Sequence, residues 1–185
     1  MLKNNIKSNY KITINMTNIY YDKFLVYTDG ACRNNGKINA ISSIGIYFSN
    51  NNLHKINNFS KVLKLNNHTN NIAELTAINN SLKLIKENDI KLPIKIYSDS
   101  QYSINTLTKW YPKWSEKDKK SKKNIPLIEE THKLITEIKP ELEYIKAHTN
   151  LEDEHSLGNA IADQLANDAL DKFEKSNKGI LKYFQ

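Results

Sequence analysis

Two spacings of apolar residues divide the chain. Between Phe24 and Leu63 they run together or alternate every second position, as strands require. Phe24–Asp29 reads as a first strand, residues 30–36 as a turn, and Ile41–Phe48 as a second strand. Asn50-Asn51-Asn52 reads as a hairpin turn, and Leu53–Leu63 as a third strand with weaker alternation. Consecutive strands joined by short turns are expected to be antiparallel. From about Asn70 the period lengthens. Ala73, Ala77, Leu82 and Ile85 mark one face of an amphipathic helix ending near Asn88. Pro93 opens a buried strand that ends at Asp99, and Ser100 can cap a helix running to about Trp110. Pro112 breaks that helix, and another spans about Pro126 to Ile138. The strand Leu142–Ala147, an acidic loop and a helix from about Ser156 to Phe173 complete the pattern. This order predicts an α/β fold. Its sheet is mixed and five-stranded, with three antiparallel strands plus two parallel ones, flanked by helices. Residues 1–21 lack any period and read as a flexible N-terminal extension, 22–175 as one folded domain, and 176–185 as a C-terminal tail.

Composition narrows the partners. The 185 residues suit a single domain with a sizeable core. The net charge of +7 points to a polyanion rather than a cationic ligand. Cys32 is the only cysteine, so an internal disulfide is excluded and a reducing compartment fits. Following the first strand, that residue reads as small packing material. No apolar run reaches the roughly 18 residues of a membrane span, and no secretory signal is evident. An intracellular location, cytoplasmic or nuclear, is the expectation.

Against that basic background, four acids sit in special contexts. Asp29 ends an apolar run and precedes Gly30; Asp99 ends another. Glu74 and Asp163 lie in segments of helical period. If the fold brings these carboxylates together, they form a site for divalent cations.

Four segments carry a family resemblance. They are Tyr27-Thr28-Asp29-Gly30-Ala31-Cys32, Thr69-Asn70-Asn71-Ile72-Ala73-Glu74-Leu75, Tyr97-Ser98-Asp99-Ser100-Gln101-Tyr102, and Gly158-Asn159-Ala160-Ile161-Ala162-Asp163. In this order, and on these elements, the chain resembles the cellular type 1 ribonuclease H family from about Phe24 to Leu170. The resemblance implies an RNase H-like fold and a monomeric endonuclease. Its activity would be hydrolysis of the RNA strand of RNA/DNA hybrids, giving 5′-phosphate and 3′-hydroxyl ends and serving to remove RNA primers. It further implies two Mg²⁺ ions, with Mn²⁺ as a substitute. Such a pair roughly 3.5–4 Å apart activates water and stabilises the leaving oxygen. Hard carboxylate oxygens suit Mg²⁺. Asp29 would bridge both ions, Glu74 and Asp99 would complete one, and Asp163 would serve the other, with Asn159 one helical turn earlier on the same face.

The remaining site residues follow from the same resemblance. His148, after the last strand, matches a mobile histidine that aids proton transfer or product release. The loop before Asp163 is about five residues longer than usual and adds His155 as a rival. Asn34, Asn70 and Asn71 stand where the 2′-hydroxyls of the RNA are read, and Asn105 adds a further contact. Thr69 and Asn124 match a phosphate pocket, in which Asn67 replaces the usual arginine. Trp110 and Trp114 resemble DNA-channel aromatics. Lysines 117, 119, 120, 122 and 123 resemble a shortened basic protrusion that grips phosphates without reading sequence. Integrases and junction resolvases share such a fold. A non-catalytic hybrid-binding module would be expected to lack at least one of the four acids.

Overall fold

The structure, a computed structural model, describes residues 23–49, 56–147 and 153–182. Five strands form one sheet: β1 (Phe24–Arg33), β2 (Ile41–Phe48), β3 (Phe59–Val62), β4 (Ile94–Ser98) and β5 (Glu141–Tyr144). Their order across the sheet is β3-β2-β1-β4-β5. β1 pairs antiparallel with β2, and β2 with β3, whereas β4 runs parallel to β1 and β5 parallel to β4. The mixed sheet expected from the spacing is therefore present. The helices are α1 (Asn70–Glu87), α2 (Gln101–Asn105), α3 (Glu116–Lys119), α4 (Ile125–Ile138) and α5 (Glu154–Lys182).

Side chains alternate across each strand, so the sheet has two cores. On one face Phe24, Val26, Ile44 and Ile46 pack with Leu75, Ile78 and Leu82 of α1 and Ile128 of α4. On the other, Tyr27 and Tyr97 meet Ala162 of α5. Two glycines set how closely the helices approach. A Cβ on Gly30 would run into the backbone of α1 at Ala73 and Glu74. One on Gly45 would run into the backbone of α5 at Ala162 and Ala166. The carboxylate-bearing helices thus lie directly on β1 and β2.

Several element ends differ from the sequence expectation. β1 continues past Asp29 to Arg33, because β2 pairs with it as far as Arg33↔Ile41. Asp29 is therefore inside a strand rather than at its end, and Cys32 is a strand residue rather than a turn residue. The turn begins later, with Asn34 and Gly36 in left-handed conformations (φ 53° and 80°). The helix expected to reach Trp110 is regular only to Asn105. It continues as a π-helical turn, Thr106–Trp110, and a 3₁₀ turn, Tyr111–Lys113. Pro112 falls within that last turn. The lysine-rich stretch contains α3, held by a capping box between Ser115 and Asp118. β5 stops at Tyr144, short of Ala147, and α5 runs beyond Phe173 to Lys182, into the stretch read as a tail. The expected extension 1–21 and the hairpin turn 50–52 lie outside the described residues.

Candidate active site

The parallel ladder of β1 and β4 ends at the pair Thr28↔Ser98. Asp29 and Asp99 are the next residues on their chains, where β4 gives way to α2. Gly30 lets α1 approach, which brings Glu74 to the same point. The result is a cluster in which carboxylate oxygens of Asp29, Glu74 and Asp99 all lie within 4.8 Å of one another.

This cluster is electrostatically costly in the bare protein. Burial, then the charges of Asp99 and Asp163, push the Asp29 carboxyl up to about 7, against a lowering hydrogen bond from the Gly30 N–H. Glu74 is pushed well above the usual carboxylate range, first by burial and then by Asp29 and Asp99. Its Oε2 is buried without a hydrogen-bond partner. A buried carboxylate oxygen without a partner, facing two like charges, fits a hard divalent cation. Asp163, half-buried on α5, stands outside the tightest group. Its charge nevertheless raises both Asp29 and Glu74. Asn167 Nδ2 donates to Asp163 Oδ1 at 2.9 Å and fixes its orientation.

Asn159 is buried, and its Nδ2 donates to Asp99 Oδ2 at 3.0 Å. It therefore orients a carboxylate, while its own Oδ1 is buried without a partner. His155 is engaged elsewhere. Its Nδ1 lies 3.0 Å from the Tyr27 hydroxyl and its Nε2 3.4 Å from that of Tyr97, with the ring packed 4.4 Å from the Tyr97 ring. His148 lies outside the described residues.

A cleft of about 690 Å³ opens at the N-terminus of α1, lined by Asn67, Thr69, Asn70, Asn71, Lys122, Lys123 and Asn124, among others. Thr69 caps α1 by accepting from Ile72 N at 3.2 Å. Asn124 holds a left-handed conformation at the start of α4. Asn34 lines a separate pocket beside His68, and its neighbour Asn35 lines the cleft instead. Asn35 Oδ1 accepts from Asn70 N at 3.3 Å, tying the β1–β2 turn to α1. Asn105 is half-buried, its Oδ1 without a partner. Trp110 is 42% exposed beside the edge of Tyr102. Trp114 is half-buried against the core, with Lys122 Nζ 5.5 Å from its ring centre. Asn35, Tyr102 and Asn167 were not singled out by the sequence. Asn167 had a signal, its spacing four residues after Asp163; Asn35 had none beyond its place in the turn.

The model of the RNase H family matches residues 22–171. The chain belongs to the RNase H family. It is 36% identical to the ribonuclease H of Clostridium botulinum (strain Hall) over 159 residues, covering 82% of this chain and 97% of that one. It is 37% identical to the ribonuclease H of Schizosaccharomyces pombe over 150 residues, covering 78% of this chain and 52% of that one. The chain thus spans about half the length of the yeast relative. Solved RNase H structures share the fold. LC11-RNase H1, solved with an RNA/DNA hybrid, superposes with a TM-score of 0.57 at 22% identity, over 80% of this chain and 97% of that one. The RNase H domain of the foamy virus PFV superposes with a TM-score of 0.62 at 23% identity, over 79% and 93%. Among the described residues no helix is long and apolar enough to cross a membrane.

Proposed function

We propose that this chain is a divalent-metal-dependent endoribonuclease that hydrolyses the RNA strand of RNA/DNA hybrids, leaving 5′-phosphate and 3′-hydroxyl ends. The observation that carries this reading is the trio Asp29, Glu74 and Asp99, packed within 4.8 Å despite its charge. Asp29, Glu74 and Asp99 would hold one ion, and Asp29 with Asp163 a second; Mg²⁺ suits this oxygen-only donor set, and Mn²⁺ substitutes. When bound, such ions supply Lewis acidity toward the scissile phosphate and its attacking and leaving oxygens.

The chain's own residues position the rest. Asn159 holds Asp99, and Asn167 holds Asp163, so the carboxylates are oriented before any ligand arrives. Thr69, Asn124 and the lysines of the cleft take phosphates of the DNA strand. Asn35, Asn70 and Asn71 present amides that donate and accept, as reading a 2′-hydroxyl requires. Asn105, Trp110 and Trp114 extend the same surface. His148 is assigned the proton transfer or product release, because both ring nitrogens of His155 face phenols. The enzyme acts as an intracellular monomer and removes RNA primers and other RNA held on DNA.

The test is cleavage of a labelled RNA/DNA hybrid in Mg²⁺, beside single-stranded RNA, RNA duplex and DNA duplex, with Asp29→Asn as control. Cutting confined to the RNA of the hybrid and lost in the variant supports the reading. Tight hybrid binding without cutting would make the chain a binding module, and cutting of branched DNA would move it to the resolvases.

A further inference from the structure

β2 is twice as long as its edge partner β3, eight residues against four, and this leaves backbone donors without a strand to meet. β3 covers β2 only from Ser43 to Ile46. Side chains take the N–H groups just beyond each end. Asn58 Oδ1 accepts from Phe48 N at 3.1 Å, and His68 Nδ1 accepts from Ser42 N at 3.1 Å. The Ser42 hydroxyl lies 2.7 Å from the same nitrogen, and Ser42 is fully buried. A backbone N–H can only donate, so Nδ1 must offer its lone pair and any ring proton sits on Nε2.

His68 also immediately precedes Thr69, the cap of α1, and Asn70 follows with its N–H held by Asn35. Its ring therefore pins the start of α1 to β2, while Asn35 pins it to the β1–β2 turn. We infer that His68 is a positioning residue for substrate: by accepting from Ser42 it fixes Thr69, Asn70 and Asn71 in the cleft. This rests on the proposed hybrid-cleaving function. The carboxylates lie beyond this anchor: Glu74 is set separately by the contact of α1 with Gly30. Loss of the anchor therefore weakens substrate capture more than turnover.

Only an unprotonated Nδ1 can accept from the Ser42 N–H; a proton there would turn to the Ser42 hydroxyl and leave that N–H without its partner. The charged groups lining the pocket beside His68 are Lys64, after β3, and Glu174, on α5. Arg33 Nη1 already engages Glu174 at 2.7 Å. Cys32, opposite Ser42 on β1, has its thiol pushed up by burial and stays neutral.

The experiment measures kcat and KM of the full chain on a hybrid in Mg²⁺ at pH 8 for wild type, His68→Ala, His68→Leu and His68→Asn, with thermal melting of each. His68→Ala should raise KM about tenfold at pH 8, with kcat within about twofold, the scale of one lost buried hydrogen-bond pair. His68→Asn, whose Oδ1 can still accept from Ser42, should restore KM at pH 8. Should the alanine variant fail to fold, His68→Leu, which fills the site and cannot accept, takes its place beside His68→Asn. A wild-type KM in His68→Ala, a loss confined to kcat, or a KM in His68→Asn raised as far as in His68→Ala overturns the inference. A wild type that does not cut the hybrid overturns the functional reading, and this inference with it, before any variant is compared.

Discussion

Two clusters grow from the same three elements, the second joined by Glu74 of α1, and they obey opposite rules. Tyr27 of β1, Tyr97 of β4 and His155 of α5 form one; Asp29, Asp99 and Asn159, two to four residues further along each element, belong to the other. In the first, the tyrosine rings stack 5.1 Å apart and the hydroxyls meet the imidazole. Its polar groups are partnered, and it pins α5 to the sheet. In the second, like charges are buried together and Glu74 Oε2 has no partner. One cluster stabilises the fold, and the other is stabilised by it. A scaffold that fixes α5 so firmly can hold carboxylates that would otherwise spread apart.

The sharpest way to break this comparison is Asp29→Asn. Cleavage of the hybrid should fall by at least about 10²–10³-fold, the scale for losing one group that acts on developing charge. The same variant should melt higher than wild type in EDTA at pH 8, on the order of 5 °C, because a repelled buried charge is gone. The sign follows from linkage. The folded-state carboxyl titrates near 7, above its ordinary value of 3.8. The folded protein therefore holds a proton that the unfolded chain releases. Metal-free stability falls as the pH rises across that window, and below it Asp29 makes no difference. Wild-type and variant melting curves in EDTA should coincide near pH 4 and separate by pH 8. Mg²⁺ should raise the melting temperature of the wild type and not that of the variant. A variant that melts lower in EDTA at every pH would mean that Asp29 supports the fold.

Gly158→Ala attacks the first cluster directly. A Cβ there would sit 2.5 Å from the Tyr27 ring, and that ring is buried between β4 and α5. Overpacking of this kind costs about 1–3 kcal/mol. Because Asn159 is the next residue, the variant should also lose activity even where it remains folded. A folded variant with full activity would show that the carboxylates do not depend on the aromatic packing.

The sequence made the carboxylates legible because they need one residue type at one place. Each acid stood beside a recognisable strand or helix, and the sheet order followed from runs of period two and a helix between them. What stayed hidden depended on neighbours distant in sequence. Nothing near Asp29 says that β2 keeps pairing to Ile41 and carries β1 on to Arg33. Asn34 and Asn35 are adjacent on the chain, yet Asn34 lines the pocket beside His68 and Asn35 the cleft. On the chain His148 was the family match and His155 its rival from the longer loop. Only the stacking of two strands under α5 shows that His155 has two phenols to meet. The shift of α2 into a π-helical turn at Thr106 left no mark in the period of its apolar residues.

Tyr27→Phe is the mildest of these changes and separates the clusters most cleanly. The ring stays, so the stack on Tyr97 and the contact with Gly158 survive, and only the hydroxyl leaves His155. Burial holds the Tyr27 phenol well above its ordinary value, so it is neutral at any working pH and acts purely as a hydrogen-bonding group. One such bond is worth about 1 kcal/mol net, and half-buried His155 can take a water in its place. The melting temperature should therefore drop by roughly 2–4 °C. The rate of hybrid cleavage should stay within about twofold of wild type, since no carboxylate has moved and 1.4 kcal/mol would be needed for tenfold. If the rate instead collapses toward that of Asp29→Asn, His155 serves the reaction through Tyr27. The proton-transfer role would then move from His148 to His155.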